Sequence, residues 1–456
     1  MYDVIVIGGG PGGYAAGIRA AQLGGRVALL EPGEMGGTCV NRGCLPTKMW
    51  LKAARIKKTI ESGETFGIKA GVQKIDFSKI VARKKGIPHD IGMGMNALCA
   101  NNGIEVIHEK GRFKSPHEVE AGGKVLETRM VIIATGSSLS VPNTPDLEQA
   151  ALTTDEAMEL TEMPESILIV GDGPIEVEMA TIFSAFDCAV TLVTPSPRIL
   201  PGEDGDTGQR ITKCLREQGV TIIPRSSLKS VSPSGEGFTA LVVGQEEQVI
   251  PVRKVLVSSR RPNTDLGLEK AGVKTNSDGF IQIDDTLQTS AAGIYAIGDV
   301  TGGAMMSYGA TAMGVTAAEN AMGGSKTFNP RSVPRALYTF PEAASVGITE
   351  EEADELDLDV EIGNCPMSIN GVAMSYGEVE GNVKVIADAA LGQVLGVHIV
   401  GEHATEMIGG VAAALQLETT VEELAYMLCM HPTFSENIAM AAQDAMKWAL
   451  YLPRQR

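Results

Sequence analysis

The sequence predicts an α/β chain with two Rossmann-like dinucleotide-binding regions and a C-terminal α+β region. Three observations carry this. A fully apolar strand at residues 4–7 runs straight into Gly8-Gly-Gly10-Pro-Gly-Gly13, an Ala-rich helix and a second strand at 26–31. The same order returns at residues 166–194, around Gly171 and Gly173. Beyond residue 334, apolar runs at 381–388 and 393–400 flank an Ala-Leu-Gly turn, as in an antiparallel sheet, and helices are expected near 404–416 and 421–428.

The first region reads G-x-G-x-x-G between a strand and a helix, the context that gives this pattern its meaning. Gly8 makes the tight turn, Gly10 lets the backbone approach a pyrophosphate, and Gly13 lets the helix pack on the strand. The helix start offers free N–H groups and a positive dipole end to phosphate. Glu31, closing the second strand, is placed to accept from a ribose hydroxyl. A helix is expected from Pro46, carrying Lys48, and another over roughly 77–101, where apolar residues recur at helical spacing. Gly111 opens a small β region, and a buried strand at 130–136 ends in Ala-Thr-Gly136. Pro142, Asn143 and Pro145 then mark a linker.

Between these elements lies GGTCVNRGCLPTK, residues 36–48, with Cys39 and Cys44 close in the chain. A disulfide there would close a very small loop and add little stability, so its value would lie in opening and closing. A nearby cation favours the thiolate, and Arg42 and Lys48 are the candidates. The alternatives are two buried free thiols or half a zinc site, but no second CxxC or Cys/His pair stands at metal spacing. No metal site is expected.

Composition narrows the class. The formal net charge is −18, which argues against non-specific binding to nucleic acid or an anionic membrane surface. Seven scattered cysteines read as a reducing compartment. No signal-like or bilayer-length apolar run is present, so a cytoplasmic protein with no membrane partner is expected.

The segment GGTCVNRGCLPTK resembles the active-site segment of the FAD-dependent pyridine nucleotide–disulfide oxidoreductases. Further matches are Tyr295-Ala-Ile-Gly-Asp299, similar to the family's second flavin motif, and His431-Pro-Thr-Phe-Ser-Glu436, similar to its HPTxSE. The resemblance implies an FAD-binding domain in two parts, 1–145 and 276–333, an NAD(P)-binding-like domain at 146–275, and a dimerisation domain at 334–456. It implies FAD held by Gly8, Gly10, Gly13, Glu31, Lys48, Gly111, Gly136, Asp299 and Ser307. It implies a homodimer with shared active sites, His431 of one subunit completing the Cys39–Cys44 disulfide site of the other. Cys39 would exchange with substrate and Cys44 would lie against the flavin. Glu436 would orient His431, the acid/base, and Lys48 would pair with Glu178 near the flavin. A dihydrolipoamide group, on a lipoyl-bearing protein or a small dithiol, is the implied substrate, since the chain ends without the C-terminal cysteine pair expected of mercuric or large thioredoxin reductases.

On the nicotinamide side the resemblance implies a nucleotide held at Gly171, Gly173, Thr194 and Arg260, and there the chain departs from the family pattern at Glu176, Thr194 and Ser259. The third glycine position is Glu176, the strand-end acid is Thr194, and the Gly-Arg motif reads Ser258-Ser259-Arg260. A carboxylate at position 176 repels a pyrophosphate on the same helix end unless it turns to solvent. Arg198 near Thr194 would favour NADP over NAD. The helix after Asp299 lacks the His, Lys and acidic residues common in the dihydrolipoamide-oxidising members. Three readings follow: dihydrolipoamide oxidation with NAD, reduction of a small disulfide with NADPH, or electron transfer without nicotinamide.

Overall fold

The computed structural model describes residues 1–453 and divides into two units. Residues 454–456, the tail of the expected dimerisation domain and of the cysteine-free C-terminal segment, lie outside the described residues. No helix among those described is long and apolar enough to cross a membrane.

The first unit comprises Met1–Val141, Thr153–Glu162 and Ser259–Pro330. Strand Tyr2–Ile7 lies in its middle, parallel to Val27–Leu30 on one side and Lys124–Ile133 on the other. Glu105–Ile107 and Ile294–Ala296 extend the parallel part. Lys124–Ile133 serves two pairings: its first residues run antiparallel to Glu118–Ala121, and its apolar end joins the central strand. Side chains alternate faces along a strand, and here both faces are covered. Val4 and Val6 pack with Ala16, Leu29 and Ile132, while Ile5 and Ile7 pack with Leu30, Phe113 and Ile133. That is why the strand reads as a continuous apolar run. Helix Ser307–Ala321 lies on helix Pro11–Gln22 so closely that a Cβ at Gly314 would sit 2.3 Å from the Gly12 carbonyl oxygen.

The second unit comprises Pro142–Leu152, Met163–Ser258 and the chain from Arg331 onward. Ser166–Val170 runs parallel between Ala189–Val193 and Lys254–Val257, with Thr221–Ile223 outside Ala189–Val193. An antiparallel meander, Ser227–Ser234, Gly237–Val243 and Glu247–Val252, precedes Lys254–Val257. The C-terminal part is a five-stranded antiparallel sheet, with Val394–Val400 between Ala343–Gly347 and Asn382–Asp388. Helices Ala404–Gln416 and Glu436–Ala445 close its core through Met407, Val411, Ile438 and Ala442. Lys384 of this sheet reaches Asp204 and Asp206 at 2.9 Å and Glu350 at 2.6 Å. A buried ammonium is tolerable there because three carboxylates surround it. The helix expected at 421–428 ends at Ala425.

Candidate redox and nucleotide-binding sites

The first glycine loop forms an open cradle. Gly8 has φ +112°, and a Cβ there would lie 2.3 Å from the Ala134 carbonyl oxygen. A Cβ on Gly13 would meet the Gly8 oxygen at 1.8 Å, so helix and loop touch backbone to backbone. Gly10 caps the helix with no acidic residue in the first turn, and nothing lies closer to its Cβ direction than Gly37 Cα at 3.9 Å. Glu31 accepts from the Gly9 N–H at 2.7 Å and the Gly33 N–H at 2.8 Å, so its carboxylate stands beside the loop. Gly136, at φ +66°, is open to 4 Å, whereas Gly111 is a packing position, its Cβ direction 2.7 Å from Leu30 Cδ1.

The cysteine pair sits where two short helices meet. Cys39 lies in Gly37–Asn41, and the next helix starts at Cys44 itself, capped by Gly43, rather than at Pro46. Proline is compatible with a helix's first turn, so it did not mark the start. The consequence is chemical: Cys44 stands at a helix N-terminus, where the dipole favours a thiolate. The Cys44 thiol is lowered to about 7, first by the hydrogen bond from Cys39, then by the Ser307 hydroxyl and the Lys48 charge, against the opposing effect of burial. Cys39 is held well above the usual thiol range by that same hydrogen bond and by burial. The reduced pair therefore shares its first negative charge unequally, with Cys44 as the anion. Ser307 Oγ, at the start of helix Ser307–Ala321, is 3.9 Å from Cys44 Sγ. Arg42 turns away to Asp155 at 3.7 Å, which leaves Lys48 as the cation acting on the thiols.

A linked set of polar groups was not visible in the sequence. Asp299 accepts from Ser137 Oγ at 2.7 Å, and Arg260 Nε approaches the same hydroxyl at 2.7 Å. Arg260 also donates to the Ser137 carbonyl at 2.9 Å and to Thr38 Oγ1 at 3.4 Å. Arg260, expected beside a nicotinamide nucleotide, is engaged with the flavin-type unit, because strand Arg260–Pro262 pairs with Ser137–Leu139. The only sequence signal was a serine after Ala-Thr-Gly136.

In the second unit the glycine loop is covered. Glu176 does not turn to solvent; it is 8 % exposed, and its carboxylate folds back over the loop. A Cβ at Gly171 would meet Glu176 Cγ at 2.8 Å, and one at Gly173 would meet Oε2 at 2.9 Å. The Ser258 hydroxyl, from beyond strand Lys254–Val257, donates to Glu176 Oε1. Thr194 is fully buried, with Oγ1 3.4 Å from Asp172 and 3.3 Å from the Ser196 carbonyl. Arg198 pairs with Glu351 at 3.5 Å. Glu178, one turn along helix Pro174–Ala185, is buried and accepts from the Tyr338 N–H at 3.0 Å.

His431 and Glu436 come together at the far end of the chain. His431 Nδ1 is 2.8 Å from Glu436 Oε1, while the ring is 81 % exposed, so its other nitrogen faces outward. Glu436 begins its helix and also accepts from the Thr433 N–H at 2.9 Å. Partial burial raises the Glu436 carboxyl, but the Thr433 N–H and His431 outweigh it and hold it below the usual range. The other histidines are occupied structurally where contacts are seen: His398 is buried with Nε2 2.8 Å from the Ile348 carbonyl, and His403 packs edge-on against Phe434.

An open glycine cradle, a polarised cysteine pair and a carboxylate-backed histidine define a flavoprotein dithiol/disulfide oxidoreductase. The chain belongs to the pyridine nucleotide-disulphide oxidoreductases: that family's model matches residues 2–321, and the model of its dimerisation domain matches residues 333–442. It is 38% identical over 459 residues to the dihydrolipoyl dehydrogenase of Thermus scotoductus, covering 99% of each chain. The Zymomonas mobilis dihydrolipoyl dehydrogenase is 36% identical over 462 residues, again covering 99% of each. Among solved structures, LpdA from Mycobacterium tuberculosis superposes with a TM-score of 0.89 at 27% identity, over 96% of this chain and 98% of that one. The flavoprotein disulfide reductase RclA from Escherichia coli superposes with a TM-score of 0.84 at 27% identity, over 95% and 98%.

FAD and NAD are the cofactors of this family and of its lipoyl dehydrogenase members. The residues of the first cradle fit FAD: an open loop at Gly10, an uncharged first helical turn, Glu31 at the strand end and Asp299 across the sheet. The residues of the second cradle do not fit a dinucleotide as they stand, because Glu176 lies across the loop.

Proposed function

We propose that the chain acts as a dihydrolipoyl dehydrogenase, oxidising dihydrolipoamide through a Cys39–Cys44 disulfide and bound FAD, with NAD as the final acceptor. The observation that carries this reading is the close Cys39–Cys44 pair, with Cys44 at a helix N-terminus and Ser307 Oγ 3.9 Å from its sulfur. A good leaving thiolate is what thiol–disulfide exchange requires. One substrate thiolate attacks Cys39 of the disulfide, and Cys44 leaves as thiolate. The second substrate thiol gives its proton to His431 of the partner subunit and attacks the mixed disulfide, so lipoamide leaves and Cys39 is reduced. Substrate loses two electrons and the pair gains them. Glu436 steadies the protonated ring. Lys48 and Ser307 hold the Cys44 anion. Gly8, Gly10, Gly13, Glu31 and Asp299 would hold FAD, which when bound would supply a two-electron acceptor for the reduced pair.

The homodimer is supported by the dimerisation-domain match and by apolar residues left exposed on the C-terminal part, Leu428 at 99% and Met430 at 80%, both next to His431. One observation, Glu176 across the second cradle, favours a second reading in which electrons leave the flavin for a partner other than NAD.

The test is anaerobic addition of one equivalent of dihydrolipoamide to oxidised holoenzyme without nucleotide. One lipoamide and two new protein thiols per subunit are expected, and neither in Cys39→Ser. Absence of lipoamide with the wild type removes the reading. Subsequent addition of NAD or of NADP distinguishes the acceptor, and gain of thiols only from NADPH marks the small-disulfide reductase.

A further inference from the structure

We infer that the Glu176–Ser258 pair is an acidic latch across the second glycine loop, and that a nicotinamide dinucleotide binds there only with Glu176 neutral, so that binding is coupled to proton uptake. This rests on a dinucleotide being the ligand of the second unit and is independent of the dithiol chemistry.

The geometry sets the conflict. In a βαβ unit the pyrophosphate lies over the glycine loop, on the N–H groups that begin the helix. In this chain the Glu176 carboxylate lies over Gly171 and Gly173. The side chain thus stands where a phosphate would lie. Ser258 anchors it from a position outside the loop, at the end of Lys254–Val257. The departure at 176 is therefore anchored from the residue just before Ser259, which stands in the glycine position of the later Gly-Arg motif.

The surroundings determine what the carboxylate does. Burial pushes Glu176 up to about 7, with Asp172 of the same loop adding to the rise and the backbone of Glu176 and Gly173 opposing it. Asp172 is the charged group that faces Glu176 from the loop. From the end of strand Lys254–Val257 the neutral Ser258 faces it, and Thr194, at the end of Ala189–Val193, bonds Asp172. No cation of the described residues contributes to its ionisation. A pyrophosphate brought onto this loop would add negative charge beside Glu176 and raise its proton affinity further. Proton uptake on binding follows by linkage, and above about 7 the affinity falls by up to about tenfold per pH unit.

The test is isothermal titration of NADH, and separately NADPH, into holoenzyme from pH 5.5 to 8.5. Each pH is run in two buffers of different ionisation heat, which counts protons directly. The wild type should take up close to one proton per nucleotide at pH 8.5 and none at pH 5.5. Glu176→Gln should bind without proton uptake at any pH. Glu176→Gly should bind at least about tenfold tighter than wild type at pH 8.5. Wild-type protein too weak to titrate, with binding in Glu176→Gly, gives the same answer. Wild-type affinity independent of pH without proton uptake overturns the latch, as does pH dependence surviving in Glu176→Gln or no binding by either variant with circular dichroism unchanged. Dihydrolipoamide titration of the same wild-type preparation without nucleotide reads the dithiol reaction separately.

Discussion

The chain builds the same strand–loop–helix device twice and uses its anion-binding end in opposite ways. Gly10 opens onto free space above an uncharged first turn, and the acid of that unit, Glu31, stands at the strand end and bonds Gly9 and Gly33 from the side. Gly173 opens onto its own chain's Glu176, and the strand end carries a buried threonine. In the first unit the positive helix end is offered to a ligand. In the second a carboxylate of the same chain stands over it. The lesson is that a βαβ fold creates the donors, but which residue stands at the third glycine position decides whether they are available.

The strongest way to break this comparison is to put an acid into the open cradle. Gly10→Asp has room for its Cβ and an ordinary backbone φ of −70°, so the chain should still fold. A carboxylate about 4 Å from a phosphate at an effective dielectric near 20 costs about 4 kcal/mol, so flavin affinity should drop on the order of 10³-fold. The purified variant should lack flavin absorbance; a fully loaded variant would mean that the loop is not where phosphate binds. Next in size, His431→Gln should lower dihydrolipoamide turnover by about a hundredfold or more while flavin content stays intact. Turnover near that of wild type would remove His431 as the acid/base.

Smaller effects sharpen the contrast. Glu176 has a folded pKa near 7, above its ordinary 4.5, so the folded state binds more protons than the unfolded state between those values. Stability is then full below about 4.5 and is lost as pH rises through about 7. Glu176→Gln should lack that loss and be more stable than wild type at pH 8.5 by up to roughly 3 kcal/mol, with no comparable pH-dependent gain at pH 4. Denaturant unfolding at the two pH values measures it, and equal gains at both would show that charge is not the cause. Last, alkylation of the reduced enzyme should follow a Cys44 titration near 7, moving upward in Lys48→Ala and in Ser307→Ala. An unmoved midpoint would leave the hydrogen bond from Cys39 and the helix dipole as the thiol's support.

Much of this was legible along the chain because the signals are local. The apolar run before Gly8 is buried on both sheet faces, so its composition alone marked a central parallel strand. The helix over Phe77–Asn101 followed from periodicity. His431 and Glu436 are near neighbours, and a short turn suffices to join them. The start of the helix at Cys44 was missed because Gly43, not Pro46, is its cap.

The sequence by itself determined the two glycine loops, the close cysteine pair and the histidine–glutamate pair, since each is a short segment whose geometry follows from its own residues. Tertiary structure alone decided the rest. It brought Ser307 to Cys44, Ser137 and Arg260 to Asp299, and Ser258 to Glu176, across separations of 263, 162 and 82 residues in the hydroxyl contacts of Cys44, Asp299 and Glu176. Such contacts depend on which strands lie side by side. Burial then decided the charge question, because a carboxylate's repulsion or neutrality depends on the solvent and donors around it, and those come from other parts of the chain.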